Sequence, residues 1–335
     1  MTTVSVRDVA QHAGVSVGTV SNVMNHPDKV AAATVVRVRA AIDELGFIRN
    51  DAARQLRVGR SKTIGLVVLD VRNPFFTDVA RGAEDAAADA GLAVTLGNSD
   101  ESTARESTYL DLFEEQRVHG ILISPYADIT PRLHSLRSRG IPVVLVDRTS
   151  EDVSFSSVSV DDIAGGALAA EHLLAQGRRR IAFVGGPLAI RQVADRLEGA
   201  RRAVAAHPGA TLEVVEIGGL TVLEGRAAGT ALAARPPAER PDAVFAANDL
   251  VSMGLLQALL MQGSRVEVPG EIALIGYDDI DFASAAVVPL SSIRQPSALI
   301  GATAVQLLLD EAADPDIAPR QVEFQPELVV RESTR

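Results

Sequence analysis

Apolar side chains in the first fifty residues recur at helical spacing. Val6, Val9, Ala10 and Ala13 follow an i, i+3, i+4, i+7 pattern, which predicts a short helix buried along one stripe. Ser5 is placed to cap its start, with Asp8 in the first turn, and Gly14 to end it in a left-handed cap. Ser16 is placed to cap a second helix, in which Val20, Val23 and Met24 face the first while Val17, Gly18, Thr19 and Asn22 stay on the surface. A third helix carries Val35, Val38, Ile42 and Leu45 on one stripe and stops near Gly46. Three apolar stripes predict one small all-α core.

From Ile64 the texture changes to short apolar runs alternating with amphipathic helical stretches, the signature of a parallel sheet wrapped by helices. The first set of runs is Ile64–Leu69, Ala93–Leu96, Gly120–Ile123 and Val143–Val146, with helices near 75–90, 103–118 and 131–139. The second is Ile181–Val184, Leu212–Glu216, Ala243–Ala246 and Ile272–Tyr277, with helices near 163–176, 192–206, 222–234 and 249–262. Two such series predict two doubly wound α/β lobes, whose ligand site lies where the C-terminal ends of the strands face a cleft.

Charge divides along the same line. The 335-residue chain carries a net charge of −11, but residues 1–60 hold eight Lys or Arg against five Asp or Glu, net +3, leaving −14 for the rest. A basic head on an acidic body points to nucleic-acid contact by the head alone. The absence of cysteine excludes disulfides, thiolate metal sites and thiol nucleophiles and fits a reducing compartment. No apolar run approaches the roughly 18–20 residues of a membrane span, and the start of the chain lacks the basic-then-apolar pattern of a secretory signal, so a cytoplasmic protein is expected.

The turn Ala13-Gly14-Val15-Ser16 joins the first two helices as a helix-turn-helix requires, a spacing any small helical bundle also allows. Gly14-Val15-Ser16-Val17-Gly18 matches the G-x-S-x-G of esterases, but a helix rather than a strand precedes it, and Ser16 is better used as a cap. No glycines stand at i, i+2 and no Gly-Lys pair occurs, which removes the dinucleotide and P-loop fingerprints. The six histidines show no metal-ligand spacing, and no cofactor is implied. Asn50–Arg57 is too short for a stable isolated helix. It offers Ala52, Ala53 and Leu56 for packing against a symmetry mate and wedging into a minor groove.

The runs VRDVAQHAGVSVGTVSNVMN, ELGFIRNDAARQLR and SKTIGLVV, followed by GGPLAIRQVADRLEGA, PDAVFAANDLVSMGLLQAL, EIALIGYDDIDFAS and SSIRQP, resemble the LacI/GalR family of bacterial transcriptional regulators over nearly the whole chain. The resemblance implies a helix-turn-helix head at 1–48, a hinge at 49–60, and a periplasmic-binding-protein-like core at 61–335. The core's first lobe would span about 61–160 and 292–322, and its second about 161–291 and 323–335. It implies base contacts from Val17, Gly18 and Asn22, with Ser5, Ser16, Thr19, Ser21 and Asn25 nearby. Since Gly18 has no side chain and Val17 offers only apolar contact, Asn22 would carry most hydrogen-bonded readout. Leu56 falls at the family's minor-groove wedge and Ala53 where the hinges face each other, with Asn50, Arg54 and Arg57 toward phosphates.

For the core, the resemblance implies a sugar effector bound by Asn73, Phe75, Phe76, Asp147, Arg148, Arg196, Asn248 and Asp278, with Gln192 and Gln295 as further candidates. Taken singly, each of these polar groups would serve equally well as a cap or surface ion pair, and either Phe as core. The implied protein is a repressor acting as a homodimer on a pseudopalindromic operator. The lack of a leucine-heptad tail after ELVVRES favours a dimer over a coiled-coil tetramer. A solute-binding protein of transport and a sugar-processing enzyme stand as the alternatives.

Overall fold

The computed structural model describes residues 4–47, 61–149, 154–261 and 266–335. The chain divides into two compact units, Met1–Ser61 and Lys62–Arg335.

In the first unit, helices α1 (Val6–Ala13), α2 (Val17–Asn25) and α3 (Ala32–Leu45) close over Val9, Ala10, Ala13, Val20, Val23, Val38 and Ala41. The ends form as the capping pattern dictates. Ser5 and Asp8 build a reciprocal capping box, Ser5 N donating to Asp8 Oδ2 at 2.8 Å and Asp8 N to Ser5 Oγ at 3.4 Å, which holds the Asp8 carboxyl below the usual carboxylate range. Gly14, at φ 63°, turns the chain so that Val15 N reaches Ala10 O at 3.0 Å. Ser16 Oγ then accepts from Thr19 N at 3.0 Å to start α2. Glu44 on α3 meets His12 Nε2 on α1 at 2.8 Å.

The second unit contains, among the described residues, two six-stranded sheets. The first uses β1 (Thr63–Val68), β2 (Ala93–Asn98), β3 (Gly120–Ile123), β4 (Val143–Val146), β5 (Ser156–Val160) and β11 (Gln321–Phe324) in the order β11-β5-β4-β3-β1-β2. The second uses β6 (Arg180–Gly185), β7 (Thr211–Glu216), β8 (Ala243–Ala246), β9 (Ala273–Asp278), β10 (Ser291–Arg294) and β12 (Glu327–Val329) in the order β12-β10-β9-β8-β6-β7. All pairings are parallel except β10 with β12. The central strands β1, β3, β4, β8 and β9 are almost wholly buried and mainly apolar, as sheets covered on both faces require.

Helices α4 (Pro74–Asp89), α5 (Thr103–Glu115) and α6 (Thr130–Ser138) flank the first sheet. Helices α7 (Asp162–Ala175), α8 (Arg191–Ala205), α9 (Val222–Ala233), α10 (Asp249–Met261) and the short α11 (Asp281–Ser284) belong with the second. Helix α12 (Ser297–Ala313) returns to pack on α4. The chain therefore passes between lobes after Val160, after Arg294 and after Phe324. The last two crossings correct the positions expected near 292 and 323. Ser292, Ile293 and Arg294 are still registered on Gly276, Tyr277 and Asp278 of β9, and Gln321–Phe324 stays on β5. No described helix is long and apolar enough to cross a membrane.

Candidate functional site

On α2, Val20 and Val23 point into the head, which turns the rest of the helix outward. Val17 is 42% exposed, and Gly18, Asn22 and Asn25 are exposed, with Thr19 and Ser21 half-buried. Ser5 and Ser16 are engaged as caps, and Ser16 Oγ also meets Thr19 Oγ1 at 2.9 Å. Asn25 Nδ2 donates back to Ser21 O at 2.9 Å and to Ser21 Oγ at 3.2 Å. Among the described residues, this leaves Val17, Gly18 and Asn22 as the part of the face whose side chains make no hydrogen bond. The helical setting of Ser16, with α1 rather than a strand before it, removes the esterase geometry. The hinge candidates Asn50, Ala53, Arg54, Leu56 and Arg57 lie outside the described residues.

In the core, a cavity opens where strand ends of both lobes meet. Asn73, Phe75 and Phe76 come from the first lobe just after β1, and Asp147 from the end of β4. Gln192 and Arg196 come from α8 of the second lobe, with Asn248 and Asp278 following β8 and ending β9. Local structure explains each placement. Asn73 caps α4, its Oδ1 accepting from Phe75 N at 3.1 Å. Asn248 Oδ1 accepts from Val251 N at 2.9 Å at the start of α10. Phe75 and Phe76 are buried and pack edge-to-face, 5.1 Å between centroids, so they are core and cavity wall together. Asp147 and Asp278 turn their strands at φ 57° and 99°. Asp is one of the few residues with a Cβ that tolerates positive φ, and such turns at strand ends mark functional positions.

Arg196 organises the floor. Its Nε donates to Asp162 Oδ1 at 2.8 Å, its Nη1 donates to Ala247 O at 2.8 Å and lies 3.8 Å from Asp278 Oδ1, and its guanidinium stacks 3.7 Å from the Tyr277 ring centre. This reach depends on α7 lying very close to α8. A Cβ on Gly166 would come within 2.0 Å of Arg196 O, and one on Gly199 within 2.0 Å of Ile163 O. Asp278 bridges the lobes, accepting from Asn73 Nδ2 at 2.9 Å, and it also accepts from Gln295 Nε2 at 2.8 Å. Asp147 Oδ2 accepts from Gln192 Nε2 of the opposite lobe at 2.9 Å. Asp147 Oδ1 is buried and has no hydrogen-bond partner among the described residues.

Three buried carboxylates thus share one cation. Burial pushes the Asp147 carboxyl well above the usual carboxylate range, Asp162 and Asp278 adding to it against the pull of Arg196 and Gln192. Burial likewise raises Asp162 and Asp278, which Arg196 partly offsets. Burial alone would lower Arg196, but Asp162, Tyr277, Asp278 and Asp147 together raise it and keep it charged. An acceptor left open beside a fixed guanidinium and two aromatic rings suits a polyhydroxylated ring, whose hydroxyls donate to carboxylate and whose C–H face stacks.

Asp162, Tyr277 and Asp249 belong to this assembly and escaped the sequence reading. Asp249 accepts from Ser292 Oγ at 2.8 Å and from Ile280 N at 2.9 Å. Asp279 takes Arg331 Nη1 at 2.6 Å and Arg294 Nε at 2.8 Å. Together these clamp the backbone on either side of Asp278. The doublets Asp161-Asp162 and Asp278-Asp279 in otherwise apolar surroundings were the available signal. Arg148 is not brought into the cavity: its Nη1 turns to Pro125 O at 3.3 Å, lining a separate hollow with Thr130 and Phe155. Gln295 reaches the site through Asp278 rather than by lining it.

A capped helix pair with a free second-helix face, and a two-lobed core with a polar inter-lobe cavity, define a ligand-responsive DNA-binding regulator. Comparison with known families agrees: residues 5–50 match the bacterial regulatory proteins of the lacI family, and residues 170–334 match the periplasmic binding protein-like domain. The chain is 33% identical to the HTH-type transcriptional repressor PurR of Photobacterium profundum over 99% of its length and 98% of the relative's. It is 35% identical to the ribose operon repressor of Bacillus subtilis, with the same two coverages. The Lac repressor dimer bound to operator and an anti-inducer superposes with a TM-score of 0.84 at 26% identity, covering 99% of each chain. The chain belongs to the LacI family of bacterial regulatory proteins.

Proposed function

We propose that this protein is a repressor that reads operator DNA through α2 and releases or tightens its hold when a small sugar or sugar-derived effector fills the inter-lobe cavity. Asn22 makes the hydrogen-bonded base contacts, Val17 meets a thymine methyl, and Gly18 lets the helix approach closely. Ser5, Ser16, Thr19, Ser21 and Asn25 lie toward the phosphates. The effector is held by Asp147, Arg196, Asn248, Asp278, Asn73 and Gln192 against Phe75 and Phe76. The observation that carries the effector half is the buried Asp147 Oδ1, an acceptor for which no described residue supplies a donor. Relatives named as ribose operon repressors support a sugar as that donor.

The division into a head at 1–48, a hinge at 49–60 and a core at 61–335 follows from this reading. Effector binding changes the angle between lobes and thereby the coil–helix balance of two hinges brought together in a homodimer. A ligand moves such an equilibrium only by its differential affinity for the two states. A dimer, as in the Lac repressor structure, matches a two-fold operator. Relatives that are repressors support a regulator rather than an enzyme, acting in the cytoplasm. Operator release measured by fluorescence anisotropy across pentoses, hexoses and disaccharides tests the proposal. A change with one sugar and its loss in Asp147→Asn support it; no response to any, in protein that holds its operator, overturns it.

A further inference from the structure

Beside the cavity lies a second hollow that shares Asp70, Glu101 and Leu220 with it and adds Arg72, Asp100, the Gly218–Thr221 turn and Glu224. It draws on both lobes and forms the mouth of the site. Its charge is one-sided. Arg72 is spent on Asp70, at 2.9 Å, and on Asp100, at 3.0 Å. Arg105 is spent on Asp100 at 2.7 Å, and Arg196 inside on Asp162, Ala247 O and Asp278. The Glu101 carboxylate has no hydrogen bond among the described residues, and burial with Asp70 and Asp100 nearby raises its pKa against the pull of Arg72. Among the described residues, the Glu224 carboxylate takes only a long contact from Gly218 N, 3.4 Å. Each of these three guanidinium groups is therefore matched to acids, while Glu101 at the mouth and Asp147 Oδ1 within present unmatched oxygen.

We infer that the effector is an unphosphorylated sugar or polyol, and that the acidic mouth rejects its phosphate esters. The inference rests on reading the core as a sugar sensor and narrows the ligand class. A hydroxyl donates to Asp147 Oδ1. A phosphate monoester, with about −1.5 to −2 charges at pH 7, finds acceptors where it needs donors. Two like charges about 6 Å apart at the effective permittivity of protein sites repel by enough to weaken binding roughly 100-fold.

The test is isothermal titration of the full-length protein with matched pairs: D-ribose and D-ribose 5-phosphate, D-glucose and glucose 6-phosphate, D-fructose and fructose 6-phosphate. In whichever pair binds, the ester is expected to be at least about 100-fold weaker. The ester-to-sugar affinity ratio should rise by up to about 100-fold when Glu101→Gln removes that repulsion, and further when Glu224→Gln is added. Because the readout is a ratio, a general loss of affinity cancels. An ester that binds as tightly as its parent sugar overturns the inference and leaves the sensor reading intact. Failure of every pair, in protein that still prefers an operator fragment over scrambled DNA, overturns both.

Discussion

Replacing Asp147 by Asn separates what this carboxylate does for the ligand from what it does for the fold. Asn tolerates the φ of 57° at this position, keeps the side-chain shape, and retains a carbonyl to accept from Gln192 Nε2. The cavity-facing atom changes from a carboxyl oxygen that can accept to an amide that only donates. Leaving the ligand's donor without an acceptor costs about 1–3 kcal/mol, so the effector's Kd should rise roughly 5- to 150-fold, while operator affinity without effector stays the same.

The fold responds with the opposite sign. Asp147's pKa is raised in the folded protein by burial and by Asp162 and Asp278. Its contribution to stability is therefore full below the unfolded value near ~3.9 and is lost as pH rises through the raised value. The ligand-free parent should melt lower as pH rises above the ordinary carboxylate range through these raised values, and Asp147→Asn should flatten part of that decline, Asp162 and Asp278 sustaining the rest. Titration calorimetry gives the first quantity and thermal unfolding against pH the second. A variant that binds effector within threefold of the parent would refute the assignment of Asp147 as the ligand's acceptor.

Three further outcomes follow from named contacts. Asn22→Ala should relax preference for the cognate operator by about 1–3 kcal/mol and leave the salt dependence of binding unchanged, as measured by anisotropy on cognate and scrambled duplexes. Leu56→Ala should weaken operator affinity at fixed salt without altering effector affinity in the core; equal operator affinity would remove the hinge from the mechanism. Arg196→Ala strands the carboxylates of Asp162 and Asp278 in the interior and should destabilise the core by about 3–5 kcal/mol, read from urea unfolding, with Asp162→Asn in the same chain recovering part of the loss.

The head's architecture could be read from the sequence because its signals are local. A capping serine, a glycine turn and apolar spacing fix α1 and α2 within a few residues of chain. The buried aliphatic strands were legible for the same reason. The strands β5, β10, β11 and β12 were not, being three to five residues long with polar side chains. Ser156–Val160 is held by pairing with β4 and β11 rather than by its own pattern. The apolar Ser297–Ala313 helix, too, takes its place from packing on α4 in the first lobe.

In the cavity, strand-end position brought Asp147, Asn248 and Asp278 together. The spacing of residues along the chain does not say which way a side chain turns, and so Arg148, one residue past Asp147, leaves for Pro125 O. Asp162 became visible only when Gly166 and Gly199 drew α7 onto α8.

The most direct test of the account is competitive selection of genomic DNA fragments by the purified full-length protein at fixed salt, with and without the sugars above. The account predicts enrichment of a two-fold symmetric sequence over scrambled competitor, and a shift in that enrichment with an unphosphorylated sugar that disappears in Asp147→Asn. Equal retention of all fragments under every condition would contradict it.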